Sequence, residues 1–232
     1  MRIVDQLSPN HDARMGAIDM LILHYTGMLD CAAALARLTD PSAKVSAHYL
    51  IGEDGAVFRL VPEERRAWHA GVSYWAGRRD INDLSIGIEL VNPGHEFGYH
   101  DFPPPQMEAL VALAIDIRQR HRIPDRCVLG HSDVAIGRKQ DPGERFDWRW
   151  LARRGIGLWP DFGGGSTRSG SIAELQRDLA KFGYDCPQTG IADEATRAAV
   201  RAFQLHFRPD RCDGTADDET RRRAAVLAAT VV

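Results

Sequence analysis

IDMLILHYT, from Ile18 to Thr26, is a continuous apolar run that ends in polar residues. A run of this kind reads as a buried strand, and it carries His24 near its end. A second apolar run, Ile86 to Val91 within SIGIELVN, is rich in β-branched residues and predicts another strand. On it Ile86, Ile88 and Leu90 share one face, while Gly87, Glu89 and Val91 share the other. A carboxylate in such a run is paired, solvent-facing or functional, and the alternation lets Glu89 look into a cleft. Helical and strand signals alternate around these two runs. Ala32 to Leu38 is Ala- and Leu-rich and predicts a helix. Ser46 to Ile51 and Ala56 to Val61 flank Glu53-Asp54-Gly55, a hairpin signal. Gln106 to Arg122 predicts the strongest helix, with Leu110, Leu113, Ala114 and Ile117 on one stripe and Pro103 to Pro105 fixing its start. Cys127 to Leu129 reads as a short strand, and Asp147 to Arg153 as a further helix. The alternation predicts an α/β (α+β) fold, a mixed central sheet flanked by helices.

PDFGGGSTRSGS, from Pro160 to Ser171, interrupts this pattern with Gly and Ser and no apolar period. It predicts a first domain over 1–160, a linker over 161–170 and a second domain over 171–232. Beyond it the chain reads as three helices. Ile172 to Phe182 carries Leu175 and Leu179 at helical spacing and stops at Gly183. Glu194 to Phe207 and Glu219 to Ala229 follow. TGIADEATR from Thr189 and DGTADDETR from Asp213 look alike, each a Gly turn, an acidic start and a Thr in the next helix.

The 232 residues hold 29 Lys and Arg against 32 Asp and Glu, a net charge of −3. That balance argues against a nucleic-acid binder working through bulk charge. No apolar run approaches the length of a membrane span. The first twenty residues lack the apolar core of a signal peptide, so a cytoplasmic protein is expected as the chain is written, with the periplasm or cell envelope as the alternative. Cys31, Cys127, Cys186 and Cys212 form no CxxC pair, which speaks against a Cys-based zinc site. Reduced thiols are the expectation, and a Cys186–Cys212 bridge the alternative. A monomer is the default.

The chemistry concentrates in GHSDVAIGRKQDPGERFDW, from Gly130 to Trp148. His131 follows directly on a strand, and Asp141 comes ten positions later in a Gly- and Pro-rich loop that can double back. Taken singly, a strand-end His is commonly a packed residue, and an Asp before Pro a turn residue. Taken with His24 they make two imidazoles and a carboxylate, a three-ligand set that suits zinc and leaves a fourth position for water. Glu89 near such a site could act as general base, and Lys139 could supply a fixed positive charge for an oxyanion. A solvated loop Lys is the plainer reading of Lys139. In WHAG, His69 could line a pocket or bond locally; His48, in SAHYL, ranks below it.

LILHYTGM, SAHYLIGEDG, WHAG, SIGIELVN, the PxxQMEAL helix start and the Gly130–Trp148 stretch occur in that order. Together, from about Ile18 to Trp159, they resemble the zinc-dependent N-acetylmuramoyl-L-alanine amidases of the type-2 family. The resemblance implies zinc on His24, His131 and Asp141, Glu89 as catalytic carboxylate and Lys139 as transition-state lysine. It further suggests substrate contacts at Tyr25, Thr26, His69 and Asn92, and peptidoglycan or muropeptides as partner. ELQRDLAKFGYD and AVRAFQLHFRP are similar to the three-helix peptidoglycan-binding module, and with GIGLWPDF the whole looks closest to the AmiD branch. Ile136 stands where the family usually has Pro, which implies a less rigid loop before Lys139. A non-catalytic peptidoglycan-recognition protein is the rival; such relatives usually lack part of the ligand set, which is complete here.

Overall fold

A computed structural model describes residues 2–163 and 170–231. Of the predicted linker over 161–170, residues 164–169 lie outside the described residues. In chain order the strands are β1 (Ile3–Asp5), β2 (His11–Ala13), β3 (Met20–Tyr25), β4 (Tyr49–Ile51), β5 (Val57–Arg59), β6 (Arg65–Ala67), β7 (Tyr74–Trp75), β8 (Arg78–Arg79), β9 (Ser85–Leu90) and β10 (Val128–Gly130). The helices are α1 (Cys31–Thr39), α2 (Ile81–Leu84), α3 (Gly94–Phe97), α4 (Pro104–Arg120), α5 (His131–Val134), α6 (Trp148–Ala152), α7 (Ile172–Phe182), α8 (Glu194–Phe207) and α9 (Asp218–Ala229).

Six strands form one mixed sheet in the order β1-β5-β4-β9-β3-β10. Only the β4–β5 hairpin is antiparallel; β1–β5, β4–β9, β9–β3 and β3–β10 are parallel. The predicted hairpin closes with Ile51 opposite Val57. Every residue of β9 is buried, so neither of its faces is open along its length. Ile86, Ile88 and Leu90 pack with Leu110, Leu113 and Ile117 of α4, while Val91 joins Ala34 and Leu38 of α1. Helices cover both faces, as parallel strands require. Prolines occupy the first turn of α4, whose N–H groups need no helical partner. Asp30 caps α1 by accepting the Ala33 N–H.

The C-terminal helices share the main core with the sheet. Leu175, Leu179, Phe182, Tyr184, Ala199, Phe203 and Phe207 belong to the same buried cluster as β3, β9 and α4. Trp75 packs edge-on against Phe182 and Tyr184, at 5.7 and 5.1 Å between ring centres. The two similar strings form equivalent helix entries. Asp193 accepts the Thr196 N–H at the start of α8, and Asp217 accepts the Thr220 N–H at the start of α9. In each, a buried glutamine of the preceding helix holds the Gly turn: Gln176 accepts the Gly190 N–H, and Gln204 the Gly214 N–H. All four cysteines are free. Among the described residues no helix is long and apolar enough to cross a membrane.

Candidate metal and catalytic site

Sheet register assembles the site. His24 lies directly opposite Glu89, and Gly130 opposite Leu23, so His131, the first residue after β10, arrives beside His24. All three strands are parallel there, and ligand sites in such sheets form at the carboxyl ends of the strands. After the short α5 the chain turns back through Arg138 and Lys139, both of whose N–H groups bond the Ala135 carbonyl. The Ser132 N–H then bonds the Asp141 carbonyl at 2.9 Å, which returns Asp141 to His131.

His24 Nδ1, His131 Nδ1 and Asp141 Oδ2 form a triangle with sides of 3.0, 3.0 and 3.1 Å, and all three residues are buried. Their outer partners decide which nitrogens carry protons. His131 Nε2 faces the Ala70 carbonyl at 3.1 Å, and a carbonyl only accepts, so Nε2 holds the hydrogen. The same reasoning runs inward from Ile81. Its carbonyl accepts the Ser85 hydroxyl at 2.6 Å, so Ser85 Oγ accepts from His69 Nε2 at 3.2 Å. His69 Nδ1 is then an acceptor for His24 Nε2–H at 3.1 Å. Both imidazoles, when neutral, therefore point bare Nδ1 lone pairs at a carboxylate oxygen. Three lone pairs about 3 Å apart repel one another unless a cation lies among them, and these donors are the set metal sites use. They are the one three-residue group among the described residues in which such atoms converge.

Electrostatics agree with this arrangement. Burial and the nearby His131 push the His24 imidazole down to about 4, which keeps it neutral at ordinary pH. Burial raises the Asp141 carboxyl, but His131 and His24 outweigh it and hold it far below the usual carboxylate range. Glu89 behaves oppositely: burial and then Asp141 push it well above its ordinary value, against Lys139. Its Oε2 is buried without a hydrogen-bond partner among the described residues. Most buried carboxylate oxygens are satisfied; this one is left free beside the donor triangle.

A cleft of about 690 Å³ opens over these groups and is lined by His24, Tyr25, Thr26, His69, Glu89, His131, Lys139 and Asp141. Lys139 is exposed on its rim. Tyr25 meets His95 through its hydroxyl at 3.0 Å, and His95 meets Glu144 at 3.0 Å. His69 sits behind His24 rather than free in the cleft, bonded on both ring nitrogens. Asn92 does not reach the cleft: it is fully buried, its Oδ1 accepting the Gly94 N–H and its Nδ2 donating to the His100 carbonyl. Ile136 packs partly buried against the main core, so the loop before Lys139 is braced by burial where a Pro would brace it by geometry.

Sequence reasoning missed a further contributor. Ala198, Arg201, Ala202 and Leu205 of α8 line the same cleft, and Asp133, two residues past His131, is fully buried against His206 and Tyr184. The sequence gives no sign of the His206–Asp133 pair because its members lie 73 residues apart.

Residues 14–144 match the family model for N-acetylmuramoyl-L-alanine amidase, and residues 168–223 match a putative peptidoglycan binding domain. The N-acetylmuramoyl-L-alanine amidase AmiD of Escherichia coli (strain K12) is 40% identical over 230 residues, covering 90% of this chain and 82% of that protein. Its solved complex with anhydro-N-acetylmuramic acid-L-Ala-D-gamma-Glu-L-Lys superposes with a TM-score of 0.82 at 38% identity, over 94% of this chain and 92% of the other. AmpDh3 from Pseudomonas aeruginosa, complexed with anhydromuramic pentapeptide, gives 0.78 at 39% identity, over 88% and 89%. The 1,6-anhydro-N-acetylmuramyl-L-alanine amidase AmpD of Escherichia coli (strain K12) is 41% identical over 126 residues, covering 53% of this chain and 66% of that protein. With a metal-type donor triangle, an unpaired carboxylate beside it and matches that run the length of the sheet, the chain belongs to the N-acetylmuramoyl-L-alanine amidase family.

Proposed function

We propose that this chain is a zinc-dependent hydrolase that cleaves the amide between the lactyl group of N-acetylmuramic acid, in its anhydro form, and L-alanine of the stem peptide. The observation that carries this reading is the convergence of three bare donor atoms next to the unpaired Glu89 oxygen. The anhydro preference rests on the ligands in the relatives' solved complexes, anhydro-N-acetylmuramic acid tripeptide and anhydromuramic pentapeptide. His24, His131 and Asp141 would hold the zinc, which would supply Lewis acidity for the scissile carbonyl and for an attacking water. Glu89 Oε2 takes the proton of that water as the C–O bond forms, then passes it to the amide nitrogen as the C–N bond breaks. Lys139 faces the developing oxyanion from the cleft rim. Tyr25 and Thr26 line the path of the substrate, and His69 holds His24 in its metal-ready tautomer. The division of labour follows the sequence: 1–160 for catalysis and 171–232 for holding peptidoglycan, with 161–170 between.

Mass spectrometry of anhydro and reducing-end muropeptides tests the reading. Free stem peptide should appear with the zinc-loaded protein, vanish on chelation and return when zinc is restored. Muropeptides left intact in the presence of zinc would leave a recognition protein in place of an enzyme.

A further inference from the structure

Beside His131 lies a buried polar cluster that the reaction does not use. Asp133 is fully buried, and its Oδ2 accepts the Gly130 N–H at 2.7 Å. That bond holds the backbone turn from which His131 emerges, because Gly130 is the capping residue of α5 and His131 its first residue. Asp133 has two more partners, both from the C-terminal part of the chain. Tyr184, just after α7, donates its hydroxyl to Oδ1 at 2.7 Å. His206 of α8 donates from Nδ1 to Oδ2 at 2.7 Å. His206 is itself held in place by stacking on Trp148 at 3.7 Å between ring centres. The same helix backs the lysine loop: a methyl group at Gly137 would rest 3.7 Å from Ala198 Cβ.

Resting on the reading of His131 as a metal ligand, we propose that Tyr184 and His206 are positioning residues that act through Asp133 to set the geometry of His131. The C-terminal helices are then part of the catalytic scaffold, whatever they also hold. A buried carboxylate with three donors has a single low-energy orientation, and removing one donor leaves it undersatisfied where water cannot compensate. Helix α5 spans only four residues, so a shift of Asp133 passes to its first residue with nothing to absorb it. AmpD, which matches about half of this chain, gives no reason to expect the coupling; it follows from residues of the C-terminal helices reaching Asp133 here.

Tyr184→Phe keeps the ring and removes the donor, and His206→Phe keeps an aromatic ring to stack on Trp148 and removes the donor. Gln176→Ala serves as the control, since Gln176 bonds only within the C-terminal helices, to Thr196 and the Gly190 turn. The full-length proteins are compared at a temperature where thermal melts find each fully folded. Zinc affinity is read by chelator competition, and ligand geometry by the visible spectrum of the cobalt-loaded protein. Tyr184→Phe and His206→Phe should each weaken zinc about tenfold or more and shift the cobalt bands, the size expected for partners that orient a ligand. Gln176→Ala should lower Tm and change neither. Wild-type affinity and spectrum in both donor variants would overturn the proposal, and Tyr184→Phe decides it alone if His206→Phe does not fold. A wild-type protein that binds no zinc, or a His131→Ala variant that binds it unchanged, would instead overturn the ligand assignment.

Discussion

Glu89 stands across the strand pair from His24, yet one of its oxygens has no donor among the described residues. Leaving a buried carboxylate oxygen unpaired costs on the order of 1–3 kcal/mol. The two histidines of the triangle differ, because the outer nitrogen of each is bonded. Glu89→Gln preserves shape and burial while removing the proton acceptor. The expected outcome is a fall in kcat of at least about 10²–10⁴-fold with zinc content unchanged, read by steady-state kinetics beside elemental analysis. Near-normal turnover, or loss of zinc, would remove Glu89 from its role.

Strand β9 carries the site's framework as well as its carboxylate. A Cβ at Gly87 would lie 2.5 Å from the His69 ring, so Gly87 is the space into which His69 fits to hold His24. Gly87→Ala should destabilise the fold by about 1–3 kcal/mol through overpacking and weaken zinc binding as His69 is displaced. A melt identical to wild type would sink this account. Helix α4 is anchored to the sheet by a different group. Glu63, in the loop before β6, accepts hydrogen bonds from Tyr49 of β4, from Arg120 at the end of α4 and from His121. Burial pushes its carboxyl up, but those three donors outweigh it and hold it down to about 2. A carboxyl held low in the folded chain stabilises that chain above its unfolded value of about 4.3 and loses the contribution as pH falls from there toward 2. Glu63→Gln should therefore be clearly less stable than wild type at pH 7, and the gap should close toward pH 2. Denaturant melts across that range check it, and a gap independent of pH would refute it.

At the scale of the whole molecule, one apolar core reaches from the sheet into α7, α8 and α9. Elements that share a core unfold together. All five tryptophans, from Trp68 to Trp159, precede the C-terminal helices, whereas those helices carry a large share of the helical signal. Thermal unfolding of the metal-free protein should give coincident transitions by tryptophan fluorescence and far-UV circular dichroism. Two separated transitions would mean that the C-terminal helices unfold alone, and would weaken the case for coupling through Asp133.

The local patterns were legible in the sequence alone. Apolar runs placed β3 and β9, helical spacing placed α4, α7 and α8 within a residue or two, and the Gly-Asp-Thr strings marked two equivalent helix entries, because each depends on neighbours a few residues away. The candidate set of His24, Glu89, His131, Lys139 and Asp141 was legible too, through residue type at strand ends and in the loop after His131. What tertiary structure alone decided is how these groups are held. His69 meets His24 across 45 residues, Tyr184 meets Asp133 across 51, and His206 meets Asp133 across 73. It also withdrew Asn92 from the cleft and put a wall of α8 into it. Periodicity reports which face of an element is apolar; which distant face it buries against, and which polar groups are then trapped between them, is settled only when the chain closes on itself.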